Sequence, residues 1–393
     1  MNMRPSQPDG IASSIENRYI QMKKAIIIIL TFLSLNGFAQ TKSQISVEVN
    51  PEVSLFGIAT YLSGNITFVI PSSYQELVKT TFKPYKKHPA VSEIKKLYKG
   101  KNAEIESIHP ILGLYCTALP ELRPIYSNIK NVSADELENY LKYLRNFSDE
   151  TAYKSFLEHQ KTEFTNWTKP VQDSITKYQL ADRLGNLFGQ HKTFKICLDP
   201  FNSWGGQAFV PDDTTFTNQN AWFILGYNIY RKDGSDKTKS PKFDNMFMLI
   251  DLVWHEGAHT YINPRLDAKA QLFEPYQKLL DDNLQEKLQK AGRFKWKWSQ
   301  FLKEQITRAT VAYLQQKYFG EAAWKKECER QENIGFIYTE DLSELIKKYD
   351  DNKNTYTDFA DFLPEIAAYF EYEAKLHKVD KVFDVLKSIK REN

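Results

Sequence analysis

Cysteine is scarce in this 393-residue chain. Cys116, Cys197 and Cys328 lie far apart and show no CxxC spacing, so neither a cysteine-ligated zinc module nor a disulfide framework organises the fold. An odd count also leaves at least one thiol unpaired, and all three are expected to be buried apolar thiols. Glycine and proline number 16 each, with no low-complexity tract, fixed-period repeat or Pro/Gly/Ser-rich linker to mark a fibrous, solenoid or multi-module protein. An excess of one charge is missing too: 52 basic residues face 49 acidic ones. Residues 1–39 hold Arg4, Arg18, Lys23, Lys24, Asp9 and Glu16, so the remainder carries 48 basic and 47 acidic side chains. That balance points away from nucleic acid or an anionic membrane surface as partner, and the short run around Lys83 reads as a solvated helix face.

Long hydrophobic runs are absent except for one. "MKKAIIIILTFLSLNGFAQ", from Met22 to Gln40, joins two lysines to the apolar stretch Ala25 to Leu35 and then to a small-x-small site at Gly37 and Ala39. The stretch is shorter than the ~20 residues of a bilayer span, and its layout is that of a secretory signal peptide. Met22 is the expected start, with cleavage after Ala39. The processed protein is expected in the periplasm or outside the cell, with no stable membrane insertion.

What is present is a 42% hydrophobic composition, enough for a large core. Ile45, Val47 and Val49 alternate as a strand, Asn50-Pro51 turns the chain, and Leu55, Ile58 and Leu62 recur at helical spacing. The interval from Tyr74 to Tyr178 reads as mainly helical, with breaks at Pro84, Pro110, Pro120 and Pro170. "TFKICLDPFNSWGGQAFVP" and "AWFILGYNIY" are β-like, and from Phe243 onward the pattern is helical again. The fold class is therefore α+β, predominantly helical. Residues 1–39 are expected to form the N-terminal extension and signal peptide, 40–242 a mixed α/β lobe, and 243–393 a helical lobe.

Within the helical part, "DLVWHEGAHTYINP" (251 to 264) puts His255, Glu256 and His259 in an apolar run closed by Asn263-Pro264. Burying such groups without partners costs several kcal/mol. On a helix, residues four apart share a face, so both imidazoles can hold one cation with Glu256 beside them. This is HExxH, in which the histidines bind zinc and the glutamate is the general base. Ile262 and Arg265 stand where a three-histidine continuation would need Gly and His. A catalytic zinc wants a third protein ligand, and Asp267, Glu274, Asp281, Asp282, Glu286 and Glu304 are the acidic candidates. Glu304 shares its helix face with Phe301, Thr307 or Arg308, and Val311, and so faces packed material. Its alternative role is an ion pair with Arg308 at i+4.

These residues resemble a zincin, more narrowly a gluzincin-type zinc metallopeptidase, where HExxH is completed by a glutamate on a later helix. The chain is also similar to an uncharacterised family of secreted bacterial proteins, a domain of unknown function. The features shared with that family are "VEVNPEVSLFGI" (47 to 58), "YKKHPAV" (85 to 91), "HEGAHTYINP" (255 to 264), "EQITRA" (304 to 309) and "YTDFADFLP" (356 to 364). The resemblance implies a zincin-like fold, Zn²⁺ held by His255, His259 and Glu304, Glu256 as catalytic base, and a peptide or protein substrate. It departs from the best-known gluzincins in a longer interval between His259 and Glu304, and in having Arg308 where an acidic residue would orient a ligand histidine; Asp251 is a substitute for that role. Tyr313, Tyr338 and Arg308 are chemically able to stabilise an oxyanion. The stretch Thr193 to Val210, with Gly205-Gly206, is a candidate edge strand for a substrate backbone. A noncatalytic zincin-like module that recognises glycan or protein is the alternative function, and zinc-dependent hydrolysis of a non-peptide amide a third.

Overall fold

The computed structural model describes residues 42–391 apart from 67–71, 99–107, 126–127, 130–131, 203–205, 210–219, 227–242, 244 and 292–294. The segment read as a signal peptide lies outside the described residues. From Ser43 onward the chain clusters as one compact unit.

The first element is strand β1 (Gln44–Glu48). Asn50 follows, and its side chain accepts the Val53 N–H at 2.9 Å while Pro51 occupies the first helical turn, where a missing N–H leaves nothing unpaired. The helix Pro51–Ser63 ends at Gly64, whose φ of 79° suits glycine. Helices Ser73–Phe82, Pro89–Tyr98 and Ile108–Leu114 come next. A short antiparallel hairpin of β2 (Asn128–Ile129) and β3 (Val132–Ser133) interrupts the helical series. Ser133 and Glu136 then form a reciprocal capping box that opens the helix Ala134–Glu150. Helices Tyr153–Lys177 and Leu180–Phe188 lead back to the sheet.

That sheet has the order β1-β4-β6-β5, with β4 spanning Thr193–Asp199, β5 Gly206–Phe209 and β6 Asn220–Gly226. β1, β4 and β6 are parallel, and β5 runs antiparallel to β6. The expected edge strand from Thr193 to Val210 is thus two strands in different places. β4 is interior, buried from Ile196 to Asp199, and only β5 lies at the edge. The unbroken apolar run Ile196 to Leu198 within β4 is what an interior parallel strand needs. Gly205 and Val210 lie outside the described residues.

The remainder is helical: Met246–Ile250, a π-helical segment Asp251–Glu256, then Gly257–Ala268, Asp282–Lys290, Trp298–Phe319, Glu321–Asn333, Thr339–Asp351 and Phe359–Arg391. One continuous core runs from Val53 and Phe56 through Phe194 and Trp254 to Phe362 and Phe370. The three cysteines are buried free thiols, and burial pushes Cys116 and Cys328 up to about 12. Among the described residues no helix is long and apolar enough to cross a membrane.

Two prolines expected to end helices do not. Pro170 sits inside Tyr153–Lys177; both it and Asn166, whose carbonyl loses its N–H partner, are on the exposed side. Pro264 sits inside Gly257–Ala268, and here the orphaned carbonyl is that of buried Thr260. Lys192 supplies the missing donor, with Nζ 2.8 Å from Thr260 O and 3.2 Å from Thr260 Oγ1. The lysine is 2% exposed and its ammonium lies 4.2 Å above the centre of the Tyr261 ring. Burial, with the Arg265 charge acting in the same direction, pulls its pKa down to about 7.

Candidate metal centre

The HExxH segment is pinned on several sides. Trp254 is fully buried and donates from Nε1 to Leu180 O at 2.9 Å. Tyr261 stacks on Phe188 at 4.6 Å and donates its hydroxyl to Gln190 O. Gly257 allows the Leu180–Phe188 helix to come close, since a Cβ there would stand 2.6 Å from Leu184 Cδ2. At the far end Arg265 makes a two-bond pair with Asp358, at 2.6 and 2.5 Å.

His255 and Glu256 belong to the π-helical segment, and His259 to the α-helix that follows. The expected uninterrupted α-helix is therefore corrected. A π turn closes its hydrogen bonds over five residues and winds less per residue than an α turn, so neighbouring side chains diverge less. Here that sets Glu256 Oε1 4.0 Å from His255 Nε2. The two imidazole rings lie edge to face with centroids 4.8 Å apart.

Glu304, on the helix Trp298–Phe319, closes the group. Its Oε1 is 3.3 Å from His259 Nε2 and its Oε2 is 3.5 Å from His255 Nε2. One donor atom from each of His255, His259 and Glu304 falls within 4.8 Å of the others. A tetrahedral ion with ligand bonds of ~2.0–2.1 Å holds its donors about 3.3–3.4 Å apart. The spacing of Glu304 Oε1 from His259 Nε2 already matches that edge, and two imidazoles with one carboxylate are a donor set that zinc accepts. The residues fit the ion.

The surroundings set the charge states. Burial, assisted by the charges of Arg308 and His259 and opposed by Glu304, holds His255 well below the usual histidine value, so it is neutral and its Nε2 can carry a lone pair. Burial also disfavours a charged His259, but the hydrogen bond and charge of Glu304, with Glu256 and Asn263, outweigh it and raise that ring. Burial pushes Glu304 up, yet Arg308 and the two histidines overcome it and keep the carboxyl well below its usual range.

Three neighbours complete the arrangement. His259 Nδ1 lies 3.2 Å from Asn263 Oδ1 and 3.1 Å from Thr307 Oγ1. The amide oxygen can only accept, so Nδ1 carries the hydrogen and Nε2 is left to face Glu304. Asn263 stands four residues after His259, a spacing that could have identified it; Thr307 is recognisable only once the second helix is placed. The side chain of Asp251, considered for this role, lies outside the described residues. Arg308 does pair with Glu304, at 2.7 Å, so the ion pair and the approach to the histidines coexist.

Of the five other acidic candidates, three are employed elsewhere, and none of the five joins the His255, His259 and Glu304 group. Asp267 pairs with Lys303, Asp281 caps the helix Asp282–Lys290, and Glu286 pairs with Lys290. Of the three proposed oxyanion donors, none is brought to an open position beside the group. Arg308 is turned to Glu304 and Gln331. Tyr313 donates to Asp350 at 2.5 Å, roughly 13 Å along the helix from Glu304 by the 1.5 Å rise per residue. Tyr338 packs among Phe301, Tyr369 and Phe370.

The family model described as a domain of unknown function (DUF4932) matches residues 124–369. The chain belongs to that family. The DUF4932 span takes in the sheet strands β4 to β6, the HExxH segment, Glu304 and Asp358, so every residue of the group lies inside it. The stretches "VEVNPEVSLFGI" and "YKKHPAV" precede the match. No curated protein and no solved structure matches the chain.

Proposed function

We propose that this chain is an exported zinc-dependent hydrolase, and specifically a metallopeptidase of zincin-like construction. The observation that carries the reading is the convergence of His255, His259 and Glu304 on one point, with the Glu256 carboxylate alongside. Zinc held there would supply a Lewis acid able to make water acidic near neutral pH and to polarise a carbonyl. Of the four side chains Glu256 is the most exposed, at 21%, so it can meet both an incoming water and a substrate. It would accept the proton of the attacking water and return it to the leaving amine. His255 and His259 present their Nε2 atoms; Asn263 and Thr307 keep the second ring from turning.

A peptide substrate is favoured by the sheet. β5 lies at its edge, antiparallel to its neighbour, and packs against the π-helical segment that carries His255 and Glu256. An extended backbone added to that edge would be held by main-chain hydrogen bonds close to the base.

The test is the Glu256→Gln variant, assayed on a peptide library with and without chelator. Chelator-sensitive cleavage by the wild type, and its loss in a variant that keeps its metal, are the expected results. Cleavage that survives the substitution removes Glu256 from the mechanism. Metal binding without any cleavage returns the protein to the class of noncatalytic binding modules.

A further inference from the structure

Two atoms of Glu304 face the histidines, and the structure treats them differently. Both Nε and Nη2 of Arg308 converge on Oε2, at 3.1 and 2.7 Å, whereas Oε1 receives neither. An unconstrained guanidinium and carboxylate would share two parallel bonds across both oxygens. Here the guanidinium is fixed from behind. Its Nη1 donates to Gln331 Oε1 at 2.8 Å, and Gln331 is held in turn by Glu327 at 2.6 Å. Its face lies 4.2 Å from the centre of the Phe336 ring, and Phe336 stacks on Phe301 at 5.7 Å. Arg308, Gln331 and Glu327 are each at most 5% exposed, so the guanidinium has no room to swing aside.

The geometry points to Arg308 as a positioning residue that makes Glu304 a one-oxygen ligand. This rests on the metal site proposed above. With Oε2 saturated by two cationic N–H groups, a divalent ion that approached it would stand beside an unmovable positive charge, and at low effective dielectric that repulsion is large. Oε1, 3.3 Å from His259 Nε2, remains for the ion. A carboxylate restricted to one oxygen keeps the protein's contribution at three donor atoms and preserves the fourth position of a tetrahedral site. Arg308 thus acts on the glutamate, while the histidine is oriented by Asn263 and Thr307.

The experiment uses Co²⁺ as probe on the full chain, read by visible absorption and by X-ray absorption at the cobalt edge. The wild type is expected to bind one Co²⁺ with the intense bands of a four-coordinate ion and a single carboxylate oxygen in the first shell. In Arg308→Met the freed Oε2 joins, the coordination number rises and the bands weaken several-fold, with stoichiometry unchanged. Gln331→Leu, which loosens Arg308 without touching Glu304, should shift the spectrum in the same direction to a smaller extent and covers the case in which the first variant does not fold. A two-oxygen carboxylate in the wild type, or an Arg308→Met spectrum equal to that of the wild type, overturns the role of Arg308 while leaving the metal site standing. No Co²⁺ binding by the wild type ends both.

Discussion

Replacing Lys192 by methionine should change how stability depends on pH, and the size of the change follows from where the ammonium sits. The group is 2% exposed, and burial followed by the charge of Arg265 brings its pKa from 10.5 down to about 7. At 1.36 kcal/mol per unit the displacement amounts to ~5 kcal/mol against the charged form. The Tyr261 ring face, 4.2 Å away, attracts a desolvated cation by about 2 kcal/mol, which leaves roughly 3 kcal/mol. The sign is that of a depressed basic group. Below pH ~7 both folded and unfolded chains hold the proton, and the folded state bears the whole burial penalty. Between about 7 and 10.5 the unfolded chain holds the proton more firmly, so stability rises with pH across that window. Methionine does not titrate, but it leaves Thr260 O without a donor, a loss of ~1–3 kcal/mol. Urea unfolding followed by tryptophan fluorescence, with chelator present throughout, should therefore find the variant close to the wild type near pH 6 and clearly less stable near pH 9.5. The wild-type minus variant difference should grow by ~2 kcal/mol over that range, the rest of the ~3 kcal/mol appearing only above the unfolded lysine value. Parallel profiles would show that Lys192 keeps an ordinary lysine pKa, and the reasoning from burial would be wrong.

Other outcomes are as definite. Pro264→Ala restores an N–H beneath Thr260 O, so in the Lys192→Met background it should recover ~1 kcal/mol, more than it adds to the wild type; simple additivity in a double-mutant cycle contradicts the proposed exchange of donors. Asn263→Ala removes one of the two partners of His259 Nδ1 and should weaken zinc affinity by about 10-fold in a competitive chelator titration, whereas an unchanged constant assigns the amide no orienting role. Adding zinc to the apoprotein should raise the unfolding midpoint, as any ligand of the folded state does, and this shift should vanish in Glu304→Ala; a persistent shift places the ion elsewhere.

The site was more legible in the sequence than its supports. The i, i+4 pairing of His255 with His259 is a local signal, and Glu304 could be chosen because its own helix face is apolar. What the periodicity could not reveal was tertiary. Whether Pro264 stops a helix depends on Lys192, which precedes Thr260 by 68 residues and donates to its carbonyl. Pro170 is tolerated for a different reason, because its side of the helix faces solvent. Strand order is equally nonlocal: Phe194, Ile196 and Leu198 mark a strand, but only the pairing with β1 and β6 shows β4 to be interior. The π turn at His255 and Glu256 left no mark on a pattern that recurs at three and four. Arg308 was visible as an i+4 partner of Glu304, yet its grip on a single oxygen is set by Gln331 and Phe336 on elements that follow.

The central claim is that one divalent ion is held by His255, His259 and Glu304. Elemental analysis of the purified full chain beside its His259→Ala variant tests it most directly. One equivalent of zinc per chain in the wild type, absent from the variant, is the predicted result. A wild type that carries no transition metal even after incubation with Zn²⁺, or a variant that retains its full equivalent, would contradict the account.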